Sequence, residues 1–181
     1  MVPYDYVLLG IGWLLWFLPF PINGWSKARA ERRDPRARRG LLLQIFAYAL
    51  LFASRFWENP LAGWRTAGAI GFFSLGILLS FTAVRALGRH LRFDAALDPD
   101  HELVSLGPYR VMRHPIYTSM LCMLLGTGLL LTPAPLLMGA VVVFIAGTEI
   151  RVRIEDRLLA SRFNEFEGYR RRVSAYIPFL R

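Results

Sequence analysis

Apolar residues along the chain fall in long blocks rather than in alternation, at about 6 to 22, 41 to 57, 67 to 84, 116 to 131 and 134 to 150. Roughly 17 to 25 such residues cross a bilayer as a helix. Three blocks meet that length comfortably and the last two are short, extending by a turn at either end or forming a hairpin lower in the membrane. The pattern predicts an all-α, polytopic integral membrane protein with about five transmembrane helices. The first block lacks a preceding basic segment and a small-residue cleavage site, which argues against a removed signal peptide. Its end, "FPFPINGW", puts Pro19 and Pro21 where a helix is expected to stop, with Trp25 as an interfacial anchor.

Between blocks the chain punctuates itself clearly. "TPAP" reads as a tight turn joining the fourth and fifth helices. After residue 150 helical spacing continues past the apolar window, because Glu149 and Arg153, and Arg151 and Glu155, stand four apart and pair along a helix. The fifth helix is therefore expected to project from the membrane. Ala67 and Gly71, then Gly76 and Ser80, recur four apart as helix-packing surfaces do in lipid. Gln44 and Ser54 are the polar exceptions of the first three blocks. Residues 1–84 thus read as transmembrane scaffold. Residues 85–181 hold a loop of about thirty residues, a hairpin and a charged helix, and read as the functional part.

Charge then orients the chain. Of 22 Lys and Arg, seven lie in 27 to 40, five in 85 to 115 and eight in 151 to 181, leaving only Arg55 and Arg65 for the opposite loop. With five spans those three segments share one side, and the positive-inside rule makes it cytoplasmic, with the N-terminus outside and the C-terminus inside. A net charge of +9 would also suit a nucleic-acid partner, but the alternation with apolar blocks does not, so no nucleic acid is expected. Most of these arginines read as topology signals and contacts to the cytoplasmic membrane's headgroups. A single cysteine, Cys122, excludes an intrachain disulfide and a Cys-rich metal site.

The candidate chemistry sits where "RHPIY", residues 113 to 117, meets the fourth block. Proline is favoured in a first helical turn and pushes the preceding residue toward extended backbone. Pro115 then starts the helix with His114 near its N-cap, and Arg113, His114 and the helix N-terminus form an anion rim. Glu149, Glu155 and Asp156 supply carboxylates at the end of the fifth helix, where charge near the bilayer needs a partner. Either a ligand with a carboxylate and a cationic group joins the two sets, or Arg113, Arg151 and Arg153 pair internally with the acids. "DPDHE", Asp98 to Glu102, places His101 among acids that read as a solvated turn, and His90 reads as interfacial; no metal is expected.

"GPYRVMRHPIY", Gly107 to Tyr117, followed by "RIEDRLLASRFNEFEGYRRRV" and a final "IP", resembles the isoprenylcysteine carboxyl methyltransferase family and its bacterial and archaeal relatives. The resemblance covers about residues 85 to 178. It implies a multi-span helical enzyme that binds S-adenosylmethionine in a cytosol-facing pocket roofed by the C-terminal helix. Carried over by position, it implies cofactor contacts from Gly107, Pro108, Tyr109, Arg113, His114, Pro115, Tyr117 and Glu155, with Asp156 as the second acid. Two departures stand out. Asp156 replaces the usual glutamate, and Phe166 replaces a tyrosine, although Tyr169 remains.

The expected activity is S-adenosylmethionine-dependent methyl transfer to a lipid or lipophilic acceptor, with carboxylate O-methylation favoured, Glu155 taking part, and Arg151 or Arg153 holding the acceptor. Phospholipid N-methylation, S-methylation of a small thiol, NADPH-dependent reduction of a lipid or sterol, and a non-catalytic membrane scaffold stay open. Neither the acceptor nor the oligomeric state can be read from the residues.

Overall fold

The computed structural model describes residues 3–23, 32–53, 63–91, 96–97 and 102–177. It is all-helical apart from one two-residue antiparallel pair. The helices are α1 (Pro3–Phe17), α2 (Pro19–Asn23), α3 (Ala37–Leu51), α4 (Gly63–Leu87), α5 (Pro115–Leu131), α6 (Ala134–Arg162) and α7 (Phe166–Arg172). Arg32–Arg33 (β1) pairs with Ala96–Leu97 (β2), and tight 3-10 turns lie at Gly88–His90 and Gly107–Arg110.

Three segments are long and apolar enough to span a bilayer: Tyr4–Ile22, Gly63–Leu87 and Ala134–Arg162. Only about a third of each is buried inside the protein, and Leu14, Phe46, Ile70, Leu78, Met138 and Val142 point outward. An apolar exterior of this extent requires lipid, not water, as its solvent. The chain is an integral membrane protein. α5 is a shorter apolar helix of 17 residues, about 25 Å long against a hydrocarbon core of about 30 Å. α6, with 29 residues, extends about 43 Å, longer than that hydrocarbon core.

Two sequence expectations about the N-terminal part hold only in part. α1 ends at Phe17, just before Pro19, but a short α2 restarts on Pro19, where a missing N–H is tolerated in a first turn, and runs to Asn23. Gly76 and Ser80 are buried on the packing face of α4 with Ala69, Phe73 and Ala83, whereas Ala67 and Gly71 face outward. Small-residue spacing marked the packing face with one pair and missed it with the other. Trp25 and Ser54 lie outside the described residues.

Packing is dominated by two helix pairs, α3 on α6 and α4 on α5, with α1 laid across α4. Polar side chains stitch these surfaces. Trp16 Nε1 donates to Ser119 Oγ at 3.1 Å, Ser80 Oγ donates to the Trp16 carbonyl at 3.0 Å, and Trp13 Nε1 donates to Thr127 Oγ1 at 3.1 Å. Arg65, one of the two basic residues outside the three basic segments, is buried. Its guanidinium donates to the carbonyls of Leu129 (2.8 Å), Gly128 (3.4 Å) and Thr132 at the α5 C-terminus. The "TPAP" turn is as expected, with Thr132 and Pro133 between α5 and α6.

The α3–α6 contact is the tightest. A Cβ on Gly147 would lie 2.6 Å from the Gly40 carbonyl oxygen, and one on Gly40 would lie 2.5 Å from the Gly147 oxygen. Backbone therefore touches backbone here, as in small-residue membrane interfaces. Gly147→Leu is expected to lower thermal stability by about 3 kcal/mol or more, whereas Gly139→Ala, on open helix surface, is expected to leave the melting temperature within a degree or two. Melting of the detergent-solubilised variants checks both.

Candidate active site

The site is built where the start of α5, the outer half of α6 and residues 166–177 meet. The fourth-block expectation holds in detail: α5 starts on Pro115 with His114 at its N-cap. Just before it, Gly107 adopts φ +58, a left-handed conformation open to glycine, and turns the chain into Gly107–Arg110. That turn buries Tyr109, whose carbonyl accepts from the Tyr169 hydroxyl of α7 at 2.6 Å. Residues 112–114 then run beside 174–175. Met112 and Ser174 form a parallel bridge, Arg113 N donates to Ser174 O at 2.8 Å, and His114 N donates to Ala175 O at 2.9 Å. Thr118 Oγ1 donates to Tyr176 O.

Across this strap lies α6, and its adjacent acids straddle one imidazole. His114 Nε2 is 2.9 Å from Asp156 Oδ1, and Nδ1 is 3.3 Å from Glu155 Oε2. Arg113 Nη2 reaches Asp156 Oδ2 at 3.0 Å while Nη1 donates to the carbonyls of Val173 and Arg170. Tyr117 donates to Glu155 Oε1 at 2.5 Å and accepts from Arg151 Nε at 2.6 Å, and Arg151 Nη2 stands 3.5 Å from Glu155. Burial alone would lower the His114 pKa, but the hydrogen bonds and charges of Asp156 and Glu155 outweigh it and raise it from 6.5 to about 9. The ring is an imidazolium at neutral pH.

This cluster forms the charged end of a cavity of about 490 Å³, within the range of small-molecule sites. Tyr109, Arg113, His114, Tyr117, Arg151 and Glu155 line it, and Tyr169 of α7 closes one side. Gly107, Pro108 and Pro115 shape its backbone without lining it. Asp156 and Arg153 face a second cleft of about 1230 Å³ on the other flank of α6. There Arg153 is exposed and pairs with Glu149 at 2.8 Å, the second expected pairing along this helix. The cations singled out from the sequence are thus engaged by the protein's own carboxylates and carbonyls in this state.

The cavity's apolar end comes from residues that sequence reasoning assigned to scaffold. Trp13, Trp16 and Phe17 of α1, Phe20 of α2, and Gln44 and Tyr48 of α3 line it, together with Met120. Their only sequence signal was the placement of Gln44 and two Trp inside apolar blocks, and nothing in the chain's spacing joins positions about a hundred residues apart. His90 and Glu102 line the edge, with His90 Nε2 3.9 Å from Glu102. Residues 98–101, including His101, lie outside the described residues. Among the described residues no group of three His, Cys, Asp or Glu is arranged to hold a metal.

Because the folded-state pKa of His114 is raised, the stability it contributes is fully present below pH 6.5 and is lost as pH rises through about 9. The melting temperature is expected to fall across pH 7 to 9.5, and His114→Gln is expected to flatten that part of the profile. Scanning calorimetry over the pH series checks the slope.

Comparison with known proteins follows the same region. The cobalt-zinc-cadmium resistance protein CzcN of Cupriavidus metallidurans is 37% identical over 81 residues, 45% of this chain and 38% of that protein. Protein-S-isoprenylcysteine O-methyltransferase B of Arabidopsis thaliana is 32% identical over 122 residues, 65% of this chain and 61% of that protein. Protein-S-isoprenylcysteine O-methyltransferase of Schizosaccharomyces pombe is 32% identical over 116 residues, 62% of this chain and 49% of that protein. The chain thus spans between about two fifths and three fifths of the length of these relatives. The profile of the phospholipid methyltransferase family matches residues 64–165, more than half of the chain and all of the α4 to α6 framework that carries the charged cluster, and the chain belongs to that family.

Proposed function

We propose that the chain is an S-adenosylmethionine-dependent membrane methyltransferase acting on a lipophilic acceptor, with carboxylate O-methylation the favoured reaction. The observation that carries it is a single cavity with a charged end of one acid, Glu155, an imidazolium and two guanidinium groups and an apolar end of tryptophans and aliphatics. A zwitterionic cofactor and a greasy acceptor have those two chemistries.

The residues present fit the cofactor. Glu155 would hold an ammonium or ribose hydroxyls, and Arg113, whose buried Nε has no partner among the described residues, would serve a carboxylate. When bound, the cofactor supplies a methyl group on a positive sulfonium. The protein's part is to align the acceptor with that methyl and exclude water. The apolar wall favours a transition state in which charge is dispersed. Arg151, held on the Tyr117 hydroxyl and facing the cavity, is suited to orient an acceptor carboxylate; Arg153, on the other flank, is not. Asp156 positions rather than contacts, since it holds His114 and Arg113 from the outer cleft.

We place this chemistry in a protein of five crossings in a cytoplasmic membrane, α1 with α2, then α3, α4, α5 and α6, with the N-terminus outside and the charged half of α6 and α7 in the cytosol. The distribution of arginine supports that orientation. In this reading residues 1–84 supply the acceptor's apolar wall and residues 85–181 the cofactor region. The family's description as phospholipid methyltransferases supports a second acceptor, a phospholipid amine.

Isothermal titration tests the cofactor: S-adenosylmethionine is expected to bind, and Glu155→Ala or His114→Ala to weaken it at least tenfold. Stabilisation by NADPH instead would overturn the assignment. Membranes given methyl-labelled cofactor, then separated into lipid, protein and small-molecule fractions, identify the acceptor class.

A further inference from the structure

One stripe of α6 runs from outward-facing apolar surface straight into the second cleft. Met138, Val142 and Ala146 are exposed, and steps of three and four residues carry the same stripe on through Glu149, Arg153, Asp156 and Ala160, which line the cleft. No charged residue precedes Glu149 on α6. The cleft therefore begins where the apolar surface of that helix ends.

Its floor is apolar and its rim is cationic. Val152 and Tyr176 form the floor, with Ala175 and Ile177 packed beside them. Five arginines line the cleft against three carboxylates, and each carboxylate is already held. Glu149 is taken by Arg153 at 2.8 Å, Asp156 by Arg113 at 3.0 Å, and Glu167 by Arg170 at 3.5 Å. Arg157 of α6 and Arg171 of α7 line the same cleft, are exposed, and have no carboxylate partner among the described residues. Two cations are thus in excess.

Arginine at a membrane surface often does no more than meet bulk headgroups. Here the surplus pair comes from two helices around one concavity, and guanidinium groups so placed suit a phosphate. A ligand that uses the whole feature carries a phosphodiester and continues into hydrocarbon along Val142 and Met138. A soluble anion would leave the floor and the stripe unused.

We propose that the cleft between α6 and α7 binds an anionic phospholipid, with its phosphodiester at Arg157 and Arg171 and its acyl chains along the exposed stripe of α6. The inference rests on the membrane placement of α6 given above and concerns a site outside the cofactor cavity.

The test uses the full chain in a neutral detergent. Its melting temperature is measured with phosphatidylglycerol, with phosphatidylcholine and with the chain-free headgroup glycerophosphoglycerol, and affinity is measured by titrating fluorescent phosphatidylglycerol. Phosphatidylglycerol is expected to raise the melting temperature by several degrees more than phosphatidylcholine, and the free headgroup at equal concentration to leave it unchanged. Arg157→Gln combined with Arg171→Gln is expected to weaken phosphatidylglycerol roughly twentyfold, about fivefold for each arginine. Arg38→Gln combined with Arg39→Gln removes the same charge from exposed positions outside the cleft and is expected to change affinity less than about twofold. Ala160→Glu removes nothing, puts a carboxylate on the exposed rim, and is expected to abolish the preference for phosphatidylglycerol.

Equal losses from the two arginine pairs would reduce the effect to surface charge and overturn the site. So would stabilisation by the free headgroup as large as by the lipid, which makes the occupant a soluble anion. Should the Arg157 and Arg171 double variant melt lower without lipid, Ala160→Glu decides, and a preference that survives it overturns the inference. Membrane placement is read separately from Ala160→Cys, labelled with an impermeant maleimide from either side of sealed vesicles, because the native Cys122 is buried. Labelling from outside alone overturns the placement; labelling from the cytosolic side without a lipid preference overturns the cleft.

Discussion

Two neighbouring carboxylates on α6, gripping one imidazole from both sides, hold three parts of this protein together. His114 belongs to the start of α5, Glu155 and Asp156 to the outer half of α6, and Arg113 extends the grip to the carbonyls of residues 170 and 173. None of these groups is stable alone at such depth. An imidazolium or carboxylate out of water needs its partner, and removing one member of a buried pair typically costs about 3–5 kcal/mol because the survivor stays charged and desolvated. The cluster is thus self-enforcing: each charge is tolerable only in the presence of the others. The same arrangement fixes the direction of Glu155 and Arg151 at the cavity's edge, so the fold and the chemistry lean on one set of contacts.

The bilayer imposes the matching rule on the rest of the chain. Where lipid surrounds a helix, every polar group must find its partner inside the protein, and the described spans comply with short side-chain bonds between helices and with Arg65 taking up the carbonyls at the far end of α5. The two ends of α5 are therefore closed by different means, an imidazolium cluster at one and a guanidinium at the other.

What could be read from the sequence was local or charged. Pro115 announced the start of α5 and His114 its cap. The four-residue spacing of Glu149 with Arg153 and of Arg151 with Glu155 announced that α6 would run on past its apolar window, and both pairs form. That α6 turns Arg151 toward the cavity and Arg153 away also follows from helical geometry, but only once the cavity's side is known. What could not be read was rotation and distance. Ala67 and Gly71 have the spacing of a packing face yet look outward, because four-residue repeats of small residues occur on more than one face of α4. Trp13 and Gln44 meet α5 and α6 more than a hundred positions away, and such contacts leave no periodic trace. Pro19 carried the signature of a stop and acts as a restart, since a first turn tolerates proline as well as a terminus does.

The strap formed by residues 174–176 beside residues 112–118 also bears on how the protein comes into being. The membrane-embedded helix pairs can insert as each leaves the translocation machinery, but the backbone of Arg113 and His114 finds its acceptors only in residues made some sixty positions later. Until then the imidazole and its two acids have no lid and the guanidinium of Arg113 lacks two of its carbonyls. A nascent chain therefore passes through a stage in which its helices are lodged in lipid while its reactive corner is still open to water.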